Sequence, residues 1–333
     1  MRYRLHYKIY RRKFSRPVRF GKAWMEHRDG IIVRLVREDG ADGFGEIAPL
    51  ESFGSESVEK AELLLKSFHG SVGAALFISE EEYPCTSYAL QCAMRQIQDR
   101  SKENVCDGEG ECIPTSRLIQ NDAFDQVEMP NLRQIVITDT LKIKIGDGTI
   151  EQPEEMLRIE KAVHWCRSRG KKIRLDANEQ LDMQAAQDWI DFLSPYPDTI
   201  EFIEQPMDRC LLYELAELSR TGAIPIALDE SVATLRYQED FPWKDDFLYV
   251  IKPSLGDLSV VEACGIPADR MILSSVFETA IGFSELLNLP YRNWIAGFDT
   301  QGIFQDDGLS YPVSEAGYVR RQINSGDLWK RLL

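Results

Sequence analysis

Leu141-Lys-Ile-Lys-Ile-Gly146 opens the part of the chain whose reading decides the fold. It is the first of five short apolar runs that end in charge. The others are Ile173-Arg-Leu-Asp-Ala-Asn178, Phe202-Ile-Glu-Gln-Pro206, Ala227-Leu-Asp-Glu-Ser231 and Val250-Ile-Lys-Pro-Ser254. Three acids thus lie between two lysine positions. From Lys144 through Asp176, Glu204 and Asp229 to Lys252 the steps are 32, 28, 25 and 23 residues. Each step holds about one strand, one helix and two loops, the repeat of a β/α barrel. Such a barrel gathers all five charges at one end of a ring of strands. A barrel is therefore favoured over an open doubly wound sheet, which spacing alone leaves open.

Outward from these runs, strand and helix signals alternate from about Arg117, as a parallel α/β sheet requires. Apolar strand cores are expected at Ile143, Ile173 to Leu175, Ile200 to Ile203, Ile224 to Leu228, Leu248 to Ile251, Met271 to Leu273 and Trp294 to Ala296. An earlier strand near Leu118-Ile119 makes eight. Helical patterns such as Pro153 to Arg169 and Met183 to Leu193 lie between them. Residues 1–100 read as a separate α+β domain. Strands are expected at Arg2 to Ile9, a half-buried strand with a basic outer face, and at Gly30 to Val36. Helices are expected at Ser57 to Phe68 and Ser87 to Gln98. The polar stretch 101–116, with Gly108, Gly110 and Pro114, is the expected linker. The barrel then spans 117–310, and residues 310–333 are expected to return to the first domain.

Side chains alternate between the inside of a barrel and its helices. If Ile143 and Ile145 pack under helices, Lys142 and Lys144 point inward. By the same parity Asp176 opposes Leu175, Glu204 opposes Ile203, Asp229 opposes Leu228, and Lys252 opposes Ile251. Charges inside a barrel must meet one another or a metal. Asp176, Glu204 and Asp229 offer three oxygen ligands, which suits Mg²⁺, with Mn²⁺ as its substitute. Zinc fits less well, because the only histidines are His6, His27, His69 and His164, none at a strand end. A lysine crowded by another cation can have its pKa lowered and act as a base, and Lys142 is placed to do this to Lys144. Metal and lysines together fit removal of a proton beside a carboxylate, the metal stabilising the enediolate.

Composition narrows the field. The chain has 333 residues and a formal net charge of −15, which argues against nucleic-acid and anionic-membrane partners. Seven cysteines form no C-x-x-C pair, and no apolar stretch reaches membrane-spanning length, so a reduced cytoplasm is expected. Gly43-Phe-Gly45 does not extend to a dinucleotide fingerprint, and neither a P-loop nor a G-x-S-x-G elbow occurs.

At these residues the chain resembles the enolase superfamily, in its muconate-lactonising-enzyme-like branch, and the likeness covers nearly the whole chain. Lys142-Ile-Lys144 matches the K-x-K motif, whose second lysine is the acid/base. The runs around Asp176, Glu204 and Asp229 match the metal-ligand strands, and Ile251-Lys252-Pro-Ser254 matches the strand of the opposite lysine. A lysine base working with Mg²⁺ is this superfamily's established chemistry. Gly43 to Leu50 with Phe53 resembles the capping-domain loop that closes over substrate. Ser274-Ser275-Val-Phe-Glu278 and Gly297-Phe-Asp299-Thr300 resemble the last two strand ends. The resemblance implies a (β/α)7β TIM-like barrel under an N-terminal α+β cap. It also implies substrate contacts from Phe53, Asn178, Ser274, Ser275, Gly297 and Asp299. The implied reaction is syn elimination of water from 2-succinyl-6-hydroxy-2,4-cyclohexadiene-1-carboxylate to give o-succinylbenzoate. Lys144 removes the proton and returns it to the leaving hydroxyl, while Lys252 stabilises the other ring face by a cation–π contact. Racemases and dipeptide epimerases share this scaffold, and a non-catalytic binding barrel is the reading from another class. The expected partner is a small carboxylate, and the expected state a cytoplasmic monomer.

Overall fold

The computed structural model describes residues 2–20, 23–73, 77–100, 112–119, 138–146, 148, 151–238, 241–291, 293–313, 318–319 and 323–332. Among the described residues seven parallel strands form one sheet, and the middle five carry the charged runs. The seven are β6 (Arg117–Ile119), β7 (Thr140–Lys144), β8 (Lys172–Asp176), β9 (Ile200–Glu204), β10 (Ile226–Leu228), β11 (Leu248–Ile251) and β12 (Met271–Leu273). They hydrogen-bond in chain order from β6 to β12. The eighth position, expected as a strand at Trp294 to Ala296, is reduced to two residues. Gly297 bridges Ser274 beyond β12, and Ala296 bridges Thr115 ahead of β6, both in parallel. Gly297 N donates to Leu273 O and Ser116 N to Ala296 O, each at 2.8 Å, so the ring closes through this segment. Trp294 contributes by its side chain instead, donating its indole N–H to Asp269 O and packing edge-on to Phe202.

Strand parity divides the barrel's apolar residues into two separate clusters. Leu141, Ile143, Ile173, Leu175, Ile203, Leu228, Ile251 and Leu273 face outward into the layer under the helices, with Ile159, Trp189 and Leu215. Phe202, Ala227, Leu248, Val250 and Ile272 form a small inner cluster of their own. Two residues further along the same faces come Glu204, Asp229 and Lys252. The inner wall is thus apolar below and charged at the C-terminal end, where barrel active sites lie.

The first domain is a four-stranded antiparallel sheet in the order β3-β2-β1-β4, made of β1 (Arg2–Phe20), β2 (Ala23–Val36), β3 (Asp42–Ile47) and β4 (Ser71–Gly73). Helices α1 (Val58–Ser67) and α2 (Pro84–Arg100) cover one face, burying Tyr3, Leu5, Ile31, Val33 and Leu35. Both β1 and β2 outrun the expected strands, which stopped at Ile9 and began at Gly30. The reason is a change of buried face. Tyr3 and Leu5 are buried, Ile9 is exposed, and Tyr10, Arg12 and Phe14 are buried in turn. Past Ile9 the hairpin packs its other face on the barrel, so the basic run Arg11-Arg-Lys13 is strand after all. Arg12 is 1% exposed, stacked 3.6 Å over Phe304 and paired with Asp307.

Gly43 and Gly45 have a packing role. A methyl group on either would collide with the carbonyl of Ala93 or Ala89 in α2, so the two glycines let β3 and α2 touch backbone to backbone. The C-terminal helix (Ser325–Arg331) sits against this domain: Leu332 joins Tyr10, Ile32 and Phe44, and Lys8 Nζ donates to the carbonyls of Trp329 and Leu332. Of the stretch read as a linker, residues 101–111 lie outside the described residues. Its end is ordered into β5 (Cys112–Ile113), antiparallel to β13 (Tyr318–Val319), and the Thr115 bridge.

Candidate active site

Parallel pairing lines up the charged ends. Lys144 is the register partner of Asp176, and Asp176 of Glu204. Glu204 pairs with Ala227, two residues before Asp229 on the same face. Asp176, Glu204, Asp229 and Lys252 are all buried. Lys142 donates to Glu204 at 2.7 Å and approaches Asp176 at 3.0 Å. Lys252 is in direct contact with Asp229. Lys144 Nζ donates to Asn178 Oδ1 at 2.6 Å. Lys142 and Lys144 thus enter from β7 and Lys252 from the end of β11, with the acids at the ends of β8, β9 and β10 between them.

Electrostatics follow from burial and these partners. Burial alone would lower the Lys142 pKa, but Asp176 and Glu204 outweigh it and hold the ammonium well above its usual range. Burial likewise works against ionised Asp176, yet Lys142 and Lys144 keep its carboxyl below the usual value. Lys252 goes the other way, driven down to about 8 by burial against the pull of Glu204. Lys142 is therefore a fixed cation one residue pair below Lys144.

Several functional positions sat inside the quoted runs without an assigned role. Gln205 is fully buried with φ of +36°, a conformation that non-glycine residues rarely adopt. Its Oε1 accepts from the backbone N–H of Asp229 and of Ser231, both at 3.0 Å, and its Nε2 donates to Ser231 Oγ at 2.7 Å. It thereby locks the Asp229 strand end to that of Glu204. Glu230 is buried; burial first, then the charge of Asp176, pushes its carboxyl up to about 8. Its Oε1 accepts from Asn178 Nδ2 at 3.3 Å, while Oε2 has no hydrogen-bond partner. The signal was present in Glu-Gln-Pro and Asp-Glu-Ser, but only the fold shows which neighbour each side chain meets.

The expected substrate contacts fall into two groups. Phe53 and Asn178 stand at the lysines: the Phe53 ring lies 4.5 Å from Lys252 Nζ, and Asn178 is on Lys144. Ser274, Ser275, Gly297 and Asp299 gather at the closing seam of the barrel. Ser274 Oγ donates to Gly297 O at 3.1 Å, and Ser275 Oγ meets Thr300 Oγ1 at 2.5 Å. Asp299 accepts from Leu118 N at 3.0 Å and from Arg117 at 3.2 Å, so its carboxylate ties the seam to β6. Phe277 and Glu278 turn away from each other. Phe277 packs on Phe14, while buried Glu278 accepts from Ser254 Oγ at 2.6 Å and Val276 N at 2.9 Å.

Comparison with known proteins bears on these features directly. Residues 131–250 match the family described as enolase C-terminal domain-like, and residues 3–97 match the N-terminal domain of MenC. The o-succinylbenzoate synthase of Thermosynechococcus vestitus is 30% identical over 297 residues, covering 86% of this chain and 88% of that protein. The structure of o-succinylbenzoate synthase from Thermosynechococcus elongatus, complexed with magnesium in its active site, superposes with a TM-score of 0.77 at 26% identity, covering 99% of this chain and all of that one. Muconate lactonizing enzyme from Klebsiella pneumoniae shares the fold, with a TM-score of 0.72 at 18% identity over 99% of both chains. A capped barrel with lysines on either side of three acids is the architecture of the enolase superfamily. Within that class, the chain belongs to the o-succinylbenzoate synthase family.

Proposed function

We propose that this chain is the hydro-lyase of menaquinone biosynthesis that converts 2-succinyl-6-hydroxy-2,4-cyclohexadiene-1-carboxylate to o-succinylbenzoate, using Lys144 and Lys252 on opposite faces of the ring. The observation that carries the assignment of roles is the placement of those two lysines on either side of Asp176, Glu204 and Asp229. Lys144 takes the proton from the carbon beside the ring carboxylate and returns it to the departing hydroxyl, so both bonds break on one face. Lys142, held protonated by Asp176 and Glu204, sets a fixed positive charge beside Lys144 on the same face of β7. Asn178 Oδ1 holds the Lys144 ammonium in position, and Lys252 sets a second positive charge on the opposite side, against the ring of Phe53. The product is aromatic, so elimination is downhill once the proton is lost.

The acids suit a divalent cation. Asp176, Glu204 and Asp229 are hard oxygen donors on successive strands, and the unpartnered Oε2 of Glu230 lies in a negative field that a cation relieves. Among the described residues no three carboxylates converge on one point, because the ammonium groups of Lys142 and Lys252 sit among them. Asp176, Glu204 and Asp229 would hold Mg²⁺, with Mn²⁺ as a substitute. When bound, the ion supplies stabilisation to the negative charge that develops on the substrate carboxylate. The partner is a small dicarboxylate; among the described residues no helix is long and apolar enough to cross a membrane.

Removing the base or a metal ligand tests these roles. Lys144→Ala and Asp176→Asn are each expected to lower kcat by at least about a thousand-fold, with the fold intact by circular dichroism. Appreciable turnover in either variant would contradict the assignment of Lys144 as base or of Asp176 as metal ligand.

A further inference from the structure

The turn that carries Phe53 is the three-residue 3-10 helix Glu51–Phe53. Its rear is anchored within its own domain. Leu50 N donates to Ser55 Oγ at 2.8 Å, and buried Glu56 accepts from Cys85 N at 3.1 Å, from Thr86 N at 2.7 Å and from Thr86 Oγ1 at 2.8 Å, at the start of α2. Its front meets the barrel at a different kind of contact. Arg209, in the loop after β9, donates Nη1 to the carbonyl of Ser52 at 2.8 Å. The same guanidinium is held by Glu179, in the loop after β8: Nε and the backbone N–H of Arg209 reach Oε1 at 2.8 Å, and Nη2 reaches Oε2 at 2.7 Å.

This bidentate arrangement fixes the plane of the guanidinium and aims its remaining donor at the cap. Glu179 is presented at a conformational cost, with φ of +65°, and its N–H is tied to Gln205 O at 2.9 Å. Two metal-strand ends, β8 and β9, thus support one clamp. Ser52 is the residue before Phe53, whose ring covers Lys252. The clamp recognises a backbone carbonyl, so the side chain at position 52 is free to vary without loss of the contact.

We infer that Arg209, oriented by Glu179, is a positioning residue that holds the Glu51–Phe53 turn closed over the lysines. It touches neither lysine nor the acids between them. It acts through the fraction of molecules in which Phe53 covers Lys252, and so through substrate affinity rather than the proton transfer. The inference rests on the proposed dehydration for its kinetic test, and on the geometry alone for its structural one.

The experiment pairs steady-state kinetics on the cyclohexadiene substrate with hydrogen–deuterium exchange of the peptide spanning residues 49–57 in the free protein. Arg209→Met is expected to raise KM about ten-fold, as a fall in the closed fraction requires, with kcat within about two-fold. The 49–57 peptide should exchange faster. Glu179→Gln should shift both readouts the same way, the double variant should be no worse than Arg209→Met, and Arg209→Lys should recover part of the loss by restoring a donor to Ser52 O. Unchanged KM and unchanged exchange in Arg209→Met would overturn the clamp. A kcat loss with KM unchanged would overturn it too, in favour of a role in the chemistry. If the unmodified protein fails to turn over the substrate, the functional reading fails. The exchange comparison then still decides the clamp: faster exchange in Arg209→Met supports it and equal exchange refutes it.

Discussion

Lys144, Asp176, Glu204, Asp229 and Lys252 were legible one at a time because a barrel strand makes parity informative: an apolar residue facing the helices fixes where its charged neighbour points. Partnership was not legible. Nothing in the string says that Gln205 bonds two residues of the next strand end, or that Glu278 is buried against Ser254. Glu278 carries a pH signature. Burial pushes its carboxyl from an ordinary 4.5 up to about 7, so the folded state binds a proton that the unfolded state has lost across that interval. Its contribution is therefore most favourable below about pH 4.5 and is lost as pH rises through 7, by up to about 3 kcal/mol. Glu278→Gln keeps the contacts with Ser254 and Val276 without ionising. Its stability relative to the parent, measured by urea unfolding, is expected to be greater at pH 8 than at pH 5. Equal differences at the two pH values would show that Glu278 does not titrate between them.

Elements were legible where one period ran their full length. The strands from β7 to β12 each place apolar residues on the outer face, and their order followed from spacing. The hairpin of β1 and β2 was cut short because its buried face changes at Ile9, and arginine in a strand core has no hydropathic signature. The guanidinium of Arg12 is paired with Asp307 and donates to Ser310 Oγ, both almost three hundred residues away. The glycines of β3 look like part of a loop motif, yet they are a contact between backbones. Gly45→Ala is expected to cost about 1–3 kcal/mol, because the carbonyl of Ala89 cannot rotate away as a side chain can. An unfolding midpoint equal to that of the parent would show that α2 can retreat freely. Further along, Phe53→Ala should chiefly raise KM, since the ring covers Lys252 rather than exchanging protons. A lowered kcat with KM unchanged would move Phe53 from the cover to the chemistry.

At the scale of the whole molecule, a capping domain is sewn to the mouth of a barrel by polar contacts that converge near the site. Arg12 donates to Glu278 O and Arg28 to Val276 O, so the long hairpin grips the strand end after β12. Glu46 accepts from Thr279 and Gly282 of the same segment. Lys252 and Phe53, from different domains, then face each other over the acids. The family assigns the dehydration, and the share of each side chain in it is what we propose. The most direct test is to mix the purified protein with Mg²⁺ and 2-succinyl-6-hydroxy-2,4-cyclohexadiene-1-carboxylate and follow the diene absorbance, before and after stripping metal with EDTA and in Lys144→Ala. Rapid loss of absorbance with formation of o-succinylbenzoate is expected, with arrest on EDTA, recovery on added Mg²⁺ and no turnover by the variant. Persistence of the diene with the metal-loaded parent, or equal rates in Lys144→Ala, would contradict the proposed dehydration and its base.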